Sequence, residues 1–187
     1  WLSIFKEATM ARIEINSNFE NGSKEILDRV MELRGQVPNI FKTAAHSPAA
    51  LGFLLDGYTA LGRSKISAQI KEKIALRVAS LNDCDYCASA HAAMGRRLKF
   101  DENQIHDSLK GIAVDPKTKA ALTLSEQIIE KQGKLSDDEL ANARDAGFSD
   151  AEILEVLAVT CINIFTNYFN HIAETDLDYP FVSASGK

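Results

Sequence analysis

The stretch Asn82-Asp83-Cys84-Asp85-Tyr86-Cys87-Ala88-Ser89-Ala90-His91 decides how the rest of the chain is read. It holds two of the three cysteines, spaced C-x-x-C, and a histidine four residues after the second. Asn82-Asp83 reads as a tight connection, with Asp83 capping a helix that begins near Cys84. At about 100° per residue, Cys84, Cys87, Ala88, His91, Met94, Gly95 and Leu98 fall on one side of that helix. The two thiols and the imidazole then share an arc roughly 60° wide. A helix N-terminus carries partial positive charge and free N–H groups, which favour a thiolate in the first turn. His91 lies one turn beyond Cys87, within reach as a base or, when protonated, as a counter-charge. Residues three apart on a helix are also near enough for a disulfide after modest adjustment.

Working outward, Ser67 caps a preceding helix over 68–81. Its polar face carries Gln69, Lys73, Arg77 and Ser80, whereas Glu72 heads an apolar stripe with Ala75, Leu76 and Ala79. Acidic side chains rarely face a core without a partner. In an antiparallel hairpin turning at Asn82, residues 72 and 91 lie at equal distance from the turn, so Glu72 meets His91. Carboxylate, imidazole and thiol in line is the usual arrangement for activating a nucleophile.

The remaining chain is helical throughout. Ile26, Leu27, Val30, Met31 and Leu33 recur at helical spacing from Ser23, and Gly35 and Pro38 end that helix. Asn39 caps a short turn through Ile40 and Phe41. Ser47-Pro48 is an N-cap followed by Pro at the first helical position, and Gly62 stops the helix it opens. Capping-box patterns at Asp101/Gln104, Ser136/Glu139 and Ser149/Glu152, together with Asp115-Pro116, open four more helices, the last running to about Ala173. Residues 1–20 form an N-terminal arm without sustained period. No stretch alternates with period two over strand length. The fold class is all-α, eight or nine helices in a single domain over 21–187. Arg97–Ile105 and Ala146–Ile153 share a local pattern of helix end, Phe, cap and new helix. The last helix is apolar around most of its circumference, from Ile153 to Phe169, so it is central or buried against another subunit. A homo-oligomer is expected.

Bulk properties narrow the function. Hydrophobic residues make up 45% and charged residues 25%, as in ordinary globular domains, and the net charge is −5. No basic cluster extends beyond Arg96-Arg97, which argues against nucleic acid. The longest apolar run is too short to span a membrane. The start, Trp1-Leu2-Ser3-Ile4-Phe5-Lys6, lacks the features of a signal peptide, so a cytoplasmic location is expected. Met10 is a candidate native start, with residues 1–9 an added or upstream segment.

Glu72, eleven residues, Cys84-x-x-Cys87, three residues and His91 match the E-x11-C-x-x-C-x-x-x-H signature of the alkyl hydroperoxidase D-like proteins in the carboxymuconolactone decarboxylase superfamily. Val37-Pro38-Asn39-Ile40-Phe41, His46-Ser47-Pro48 and Asn167-Tyr168-Phe169-Asn170 resemble the peroxidase-related branch. The resemblance spans about residues 30–175. It implies an all-helical trimer or hexamer that reduces hydroperoxides through thiols, without haem, metal or other cofactor. It also implies an external dithiol reductant, lipoyl or thioredoxin-like. Carried over, Cys87 is the peroxide-attacking thiolate, Cys84 the resolving partner, and His91 with Glu72 the proton relay. Tyr86 departs from the pattern, since well-studied members carry a second histidine between the cysteines. Members without cysteines perform decarboxylation, and the intact dithiol argues against that role.

Competing readings remain. A non-catalytic, redox-sensing dithiol would use the same cysteines. Cys84, Cys87, His91 and Glu72 also supply four ligand types suited to zinc, though without the usual second ligand pair. Cys161, with apolar neighbours, reads as a small core residue. His46 reads as structural or solvated, His106 as solvated, and His171 as packing or capping rather than lining the site.

Overall fold

The structure, a computed structural model, describes residues 11–19 and 22–186. Among them are nine α-helices and no strand: α1 Ser23–Arg34, α2 Asn39–Ala44, α3 Pro48–Leu61, α4 Ala68–Leu81, α5 Asp85–Arg97, α6 Glu102–Leu109, α7 Pro116–Glu130, α8 Asp137–Asp145 and α9 Asp150–Ala173. The expected all-α class and helix number are both present. Local chemistry explains the boundaries. Ser47, Ser67 and Asp115 accept from the N–H three residues on, and Pro48 and Pro116 open their helices. All three anticipated capping boxes form with both reciprocal bonds. The Arg97 and Ala146 segments close alike, with Phe100 N–H donating to Gly95 O and Phe148 N–H to Ala143 O.

The central helix is α4, which packs on α5, α6, α7 and α9. Leu76 and Ala79 belong to one part of the core with residues of α1–α3, α5 and α6. Ile74 and Val78 belong to the other, with residues of α7–α9. An element buried on both faces has no water-facing stripe, so its few polar residues must find partners inside.

Helix α9 corrects two expectations. Its packed face is rich in polar side chains, with Thr160, Asn163, Thr166, Asn167 and Asn170 buried. Its outer face is apolar, with Leu154 64%, Tyr168 53% and Ile172 61% exposed. Cys161, expected in the core, is exposed on that outer face. Apolar neighbours in sequence did not mean apolar surroundings, because the helix turns its amides inward. The helix also spans 24 residues with a mean hydropathy of 1.3 over its most apolar window, enough by length and composition to cross a membrane. Counting consecutive apolar residues missed this, because Thr and Asn interrupt the run. Those interruptions lie on the face that packs against α3, α4, α5 and α7. Gly57 permits the α3 approach, since a Cβ there would lie 2.6 Å from Ile162 Cδ1.

The ends of the chain frame the bundle. Arm residues 11–19 have no regular structure; Ile13 N–H donates to Ala173 O and Asn16 N–H to Lys42 O. The suggestion about Met10 and residues 1–9 lies outside the described residues. After α9, residues 174–186 run back over α5 without regular structure. Val182 N–H donates to Ser89 Oγ at 2.9 Å and Ala184 N–H to Asp85 Oδ1 at 2.8 Å. The strap also reaches α2, where Asn39 N–H donates to Asp178 Oδ2 at 2.8 Å. Asn39 is therefore the first helical residue of α2, not its cap, and the distant Asp178 satisfies its free amide.

Candidate functional site

The α4–α5 turn sets the site. Asp83 takes a left-handed backbone conformation, φ 53°, and Cys84 N–H donates to Ala79 O at 2.9 Å. Cys84 then adopts the extended conformation of an N-cap, and its sulfur accepts from Cys87 N–H at 3.3 Å. Cys84, not Asp83, is therefore the cap of α5, because the sharp turn uses Asp83 up. Two bonds tie the turn to α9. Asn82 Nδ2 donates to Asn167 Oδ1 at 2.9 Å, and His171 Nε2 donates to Asn82 O at 2.7 Å. His171 thus caps rather than lines the site. His46 and His106 are exposed and donate to Glu14 O and Gly186 O.

Cys84 and Cys87 form a disulfide with their Cα atoms 5.3 Å apart. Glu72 and His91 meet across the hairpin, His91 Nδ1 lying 2.8 Å from Glu72 Oε2. A carboxylate accepts, so Nδ1 carries the proton and Nε2 is left as the free ring nitrogen. Glu72, Cys87 and His91 line one cavity of about 120 Å3. Cys84, the fourth predicted residue, is absent from its lining and 2% exposed. Among the described residues no three His, Cys, Asp or Glu side chains converge as a metal cage.

Other residues enter the site that the motif did not indicate. Asn170 of α9 donates Nδ2–H to Cys87 Sγ at 3.3 Å, while its Oδ1 is buried without a partner. The signal for it was the run of Asn and Thr residues at helical spacing within an apolar helix. Arg34 ends α1 with its guanidinium 5.0 Å from the ring centroids of both Phe41 and Tyr58. Nothing in the sequence marks it. Tyr179 of the strap lines the cavity beside Tyr86, ring centroids 6.0 Å apart and nearly perpendicular.

Tyr86, at the variant position of the motif, points its oxygen away from the relay. It accepts from Ile40 N–H at 3.3 Å and hydrogen-bonds to Asp178. Burial and then the Asp178 charge push its ionisation far above the ordinary tyrosine value. Tyr86 and Asp178 therefore satisfy successive free amides at the start of α2. Burial pushes the Tyr58 hydroxyl up to about 12, against an opposing effect of Arg34, so it too is neutral and able to donate. Chemically, the cavity offers a disulfide sulfur, an imidazole oriented by a carboxylate, and an amide donor on that sulfur.

Residues 48–130 match the model of the carboxymuconolactone decarboxylase family. A Bacillus subtilis protein, uncharacterized protein YdfG, is 27% identical over 121 residues, covering 63% of this chain and 82% of its own. A peroxidase-related protein from Silicibacter sp. TM1040 shares the fold at a TM-score of 0.78 and 23% identity, over 94% of this chain and 95% of that one. An alkylhydroperoxidase AhpD core protein from Ralstonia eutropha JMP134 does so at 0.79 and 19%, over 90% and 93%. The debrominase Bmp8, solved with 2,3,4-tribromopyrrole, gives 0.71 and 16%, over 89% and 91%. The Glu72–Cys84–Cys87–His91 spacing lies inside the segment that matches the carboxymuconolactone decarboxylase family, and the helical fold around it is the one these AhpD-like structures share.

Proposed function

We propose that this chain is a thiol-dependent peroxidase that reduces organic hydroperoxides through Cys87 and Cys84. One observation carries the reading: Cys87 lines the cavity that also holds the Glu72-bound His91, while Cys84, bonded to it, is absent from the lining. That asymmetry supports unequal roles for the two thiols. His91 takes the Cys87 thiol proton, and the thiolate attacks the terminal oxygen of the hydroperoxide. The O–O bond breaks, His91 returns the proton to the leaving alkoxide, and an alcohol departs. Cys87 is left as a sulfenic acid. The Cys84 thiol attacks it, water leaves, and the Cys84–Cys87 disulfide forms. An external dithiol, lipoyl or thioredoxin-like, supplies the two electrons that reopen the disulfide. This need for a reducing pool supports a cytoplasmic setting. Cys87→Ser should abolish hydroperoxide turnover, and Cys84→Ser should stop at a trappable sulfenate. Full turnover by Cys87→Ser would sink the mechanism.

A second reading draws on the fold shared with the debrominase and on the aromatic walls Phe41, Tyr58, Tyr86 and Tyr179. The same dithiol can deliver two electrons and a proton to a halogenated ring, releasing halide and leaving the disulfide. Bromide release from 2,3,4-tribromopyrrole, measured beside hydroperoxide loss, separates the two.

The outer face of α9 supports a homo-oligomer. Leu154, Leu157, Cys161, Tyr168 and Ile172 are exposed at near-heptad spacing. A second copy of the same helix offers a matching seam.

A further inference from the structure

We infer that the cavity above Cys87 selects a small organic anion, a carboxylate with a ring-sized apolar body, whose charge is met by Arg34. Arg34 lines the cavity with Cys87 and His91. It makes no hydrogen bond and no ion pair with any described residue, whereas Arg29, Arg77, Arg96 and Arg144 each hold a carboxylate. Stacking on Phe41 and Tyr58, 5.0 Å to each centroid, immobilises the guanidinium and leaves its N–H donors unused. A half-buried, unpaired cation is costly unless a ligand completes it.

The cavity's charge balance points the same way. Its one acidic lining residue, Glu72, is already bonded to His91. Tyr58 and Tyr179 are held neutral by burial, so their hydroxyls can donate to an anion rather than repel it. Thr166 and Asn170 are the uncharged polar residues of the lining beside the tyrosines, the other walls are apolar or aromatic, and about 120 Å3 suits a single ring better than a long chain. A planar fork with unused donors recognises a carboxylate in two-point contact. The inference rests on the peroxidase reading only for which end of the bound molecule reacts.

The test compares benzoate with benzamide by calorimetry on the purified full chain. Wild type should bind benzoate at least ten times more tightly. Arg34→Gln should weaken benzoate about 10–100-fold, the loss expected for a charge-assisted bond, with benzamide little changed. Arg34→Lys, which keeps the charge and loses the fork, should fall between. Circular dichroism establishes that each variant is folded. Equal binding of the two ligands, or no saturable benzoate binding at millimolar concentration, overturns the inference. So does a parallel loss of both in Arg34→Gln, the signature of a merely structural arginine. Because no turnover enters this measurement, its failure leaves the peroxidase reading standing, and retained turnover in Cys87→Ser leaves the anion subsite standing.

Discussion

Glu72 acts on His91 through a single 2.8 Å contact, and that contact decides which ring nitrogen is free. Replacing the carboxylate with an amide keeps an acceptor but removes the charge that steadies an imidazolium. Glu72→Gln should therefore slow formation of the Cys87 sulfenate about 10–100-fold, and His91→Ala by more, in single-turnover stopped flow. Equal rates in wild type and Glu72→Gln would remove Glu72 from the relay. Asn170 makes a different contribution, an N–H donor on the Cys87 sulfur, and Asn170→Ala should slow the same step. Tyr86 belongs to the framework. Tyr86→Phe orphans the Ile40 amide and leaves the Asp178 carboxylate with the Asn39 amide alone, at a cost of about 1–3 kcal/mol measurable by urea unfolding. At this scale the sequence told which four residues form the motif, because they share two helix faces about one turn. Arg34 was not legible, and Asn170 showed only as part of a polar run in an apolar helix, since each reaches the site from a helix far along the chain.

Helix α9 starts on a capping box in which Glu152 also accepts from Lys117 Nζ at 2.8 Å. The Lys117 bond first, then the Ser149 amide, lowers Glu152 from 4.5 to about 2. A carboxylate whose folded value is depressed stabilises the fold above its unfolded value and loses that effect as pH falls. Glu152→Gln should thus lower stability by about 1–2 kcal/mol at neutral pH. The gap to wild type should begin to close below about pH 4.5 and vanish near pH 2, in urea titrations across that range. A gap independent of pH would assign the effect to packing. Helix starts were readable because capping is local: Ser67, Asp101 and Ser136 each act on a residue three positions on. The strap over α5 was not, because Asp178 and Val182 find partners in α2 and α5 with no periodic signal. Asp83 misled for a related reason, as its type suits a cap but the turn needed it in the left-handed region.

The whole molecule inverts its last helix, and this follows from the site. Asn167 and Asn170 face inward to partner the turn at Asn82 and the sulfur of Cys87, and the buried Asn163 and Thr166 beside them bond carbonyls of α9 itself. With those positions taken, the apolar residues of α9 are left on the outside, where Leu154, Tyr168 and Ile172 stay more than half exposed. A stripe that long on a single chain invites association. If copies pair along it, burial of the outer face holds α9 in place and so holds Asn170 against Cys87. The double variant Leu154→Glu/Leu157→Glu introduces like charges into such a seam at one end of the helix, away from Asn170. Wild type should elute as a multiple of the 20.5 kDa chain in light scattering coupled to size exclusion, and the variant should dissociate toward one chain. The monomer should also lose peroxidase rate in proportion to dissociation, with activity recovering as protein concentration rises. A wild type that remains a single chain at high micromolar concentration would leave the outer face without a second copy to cover it.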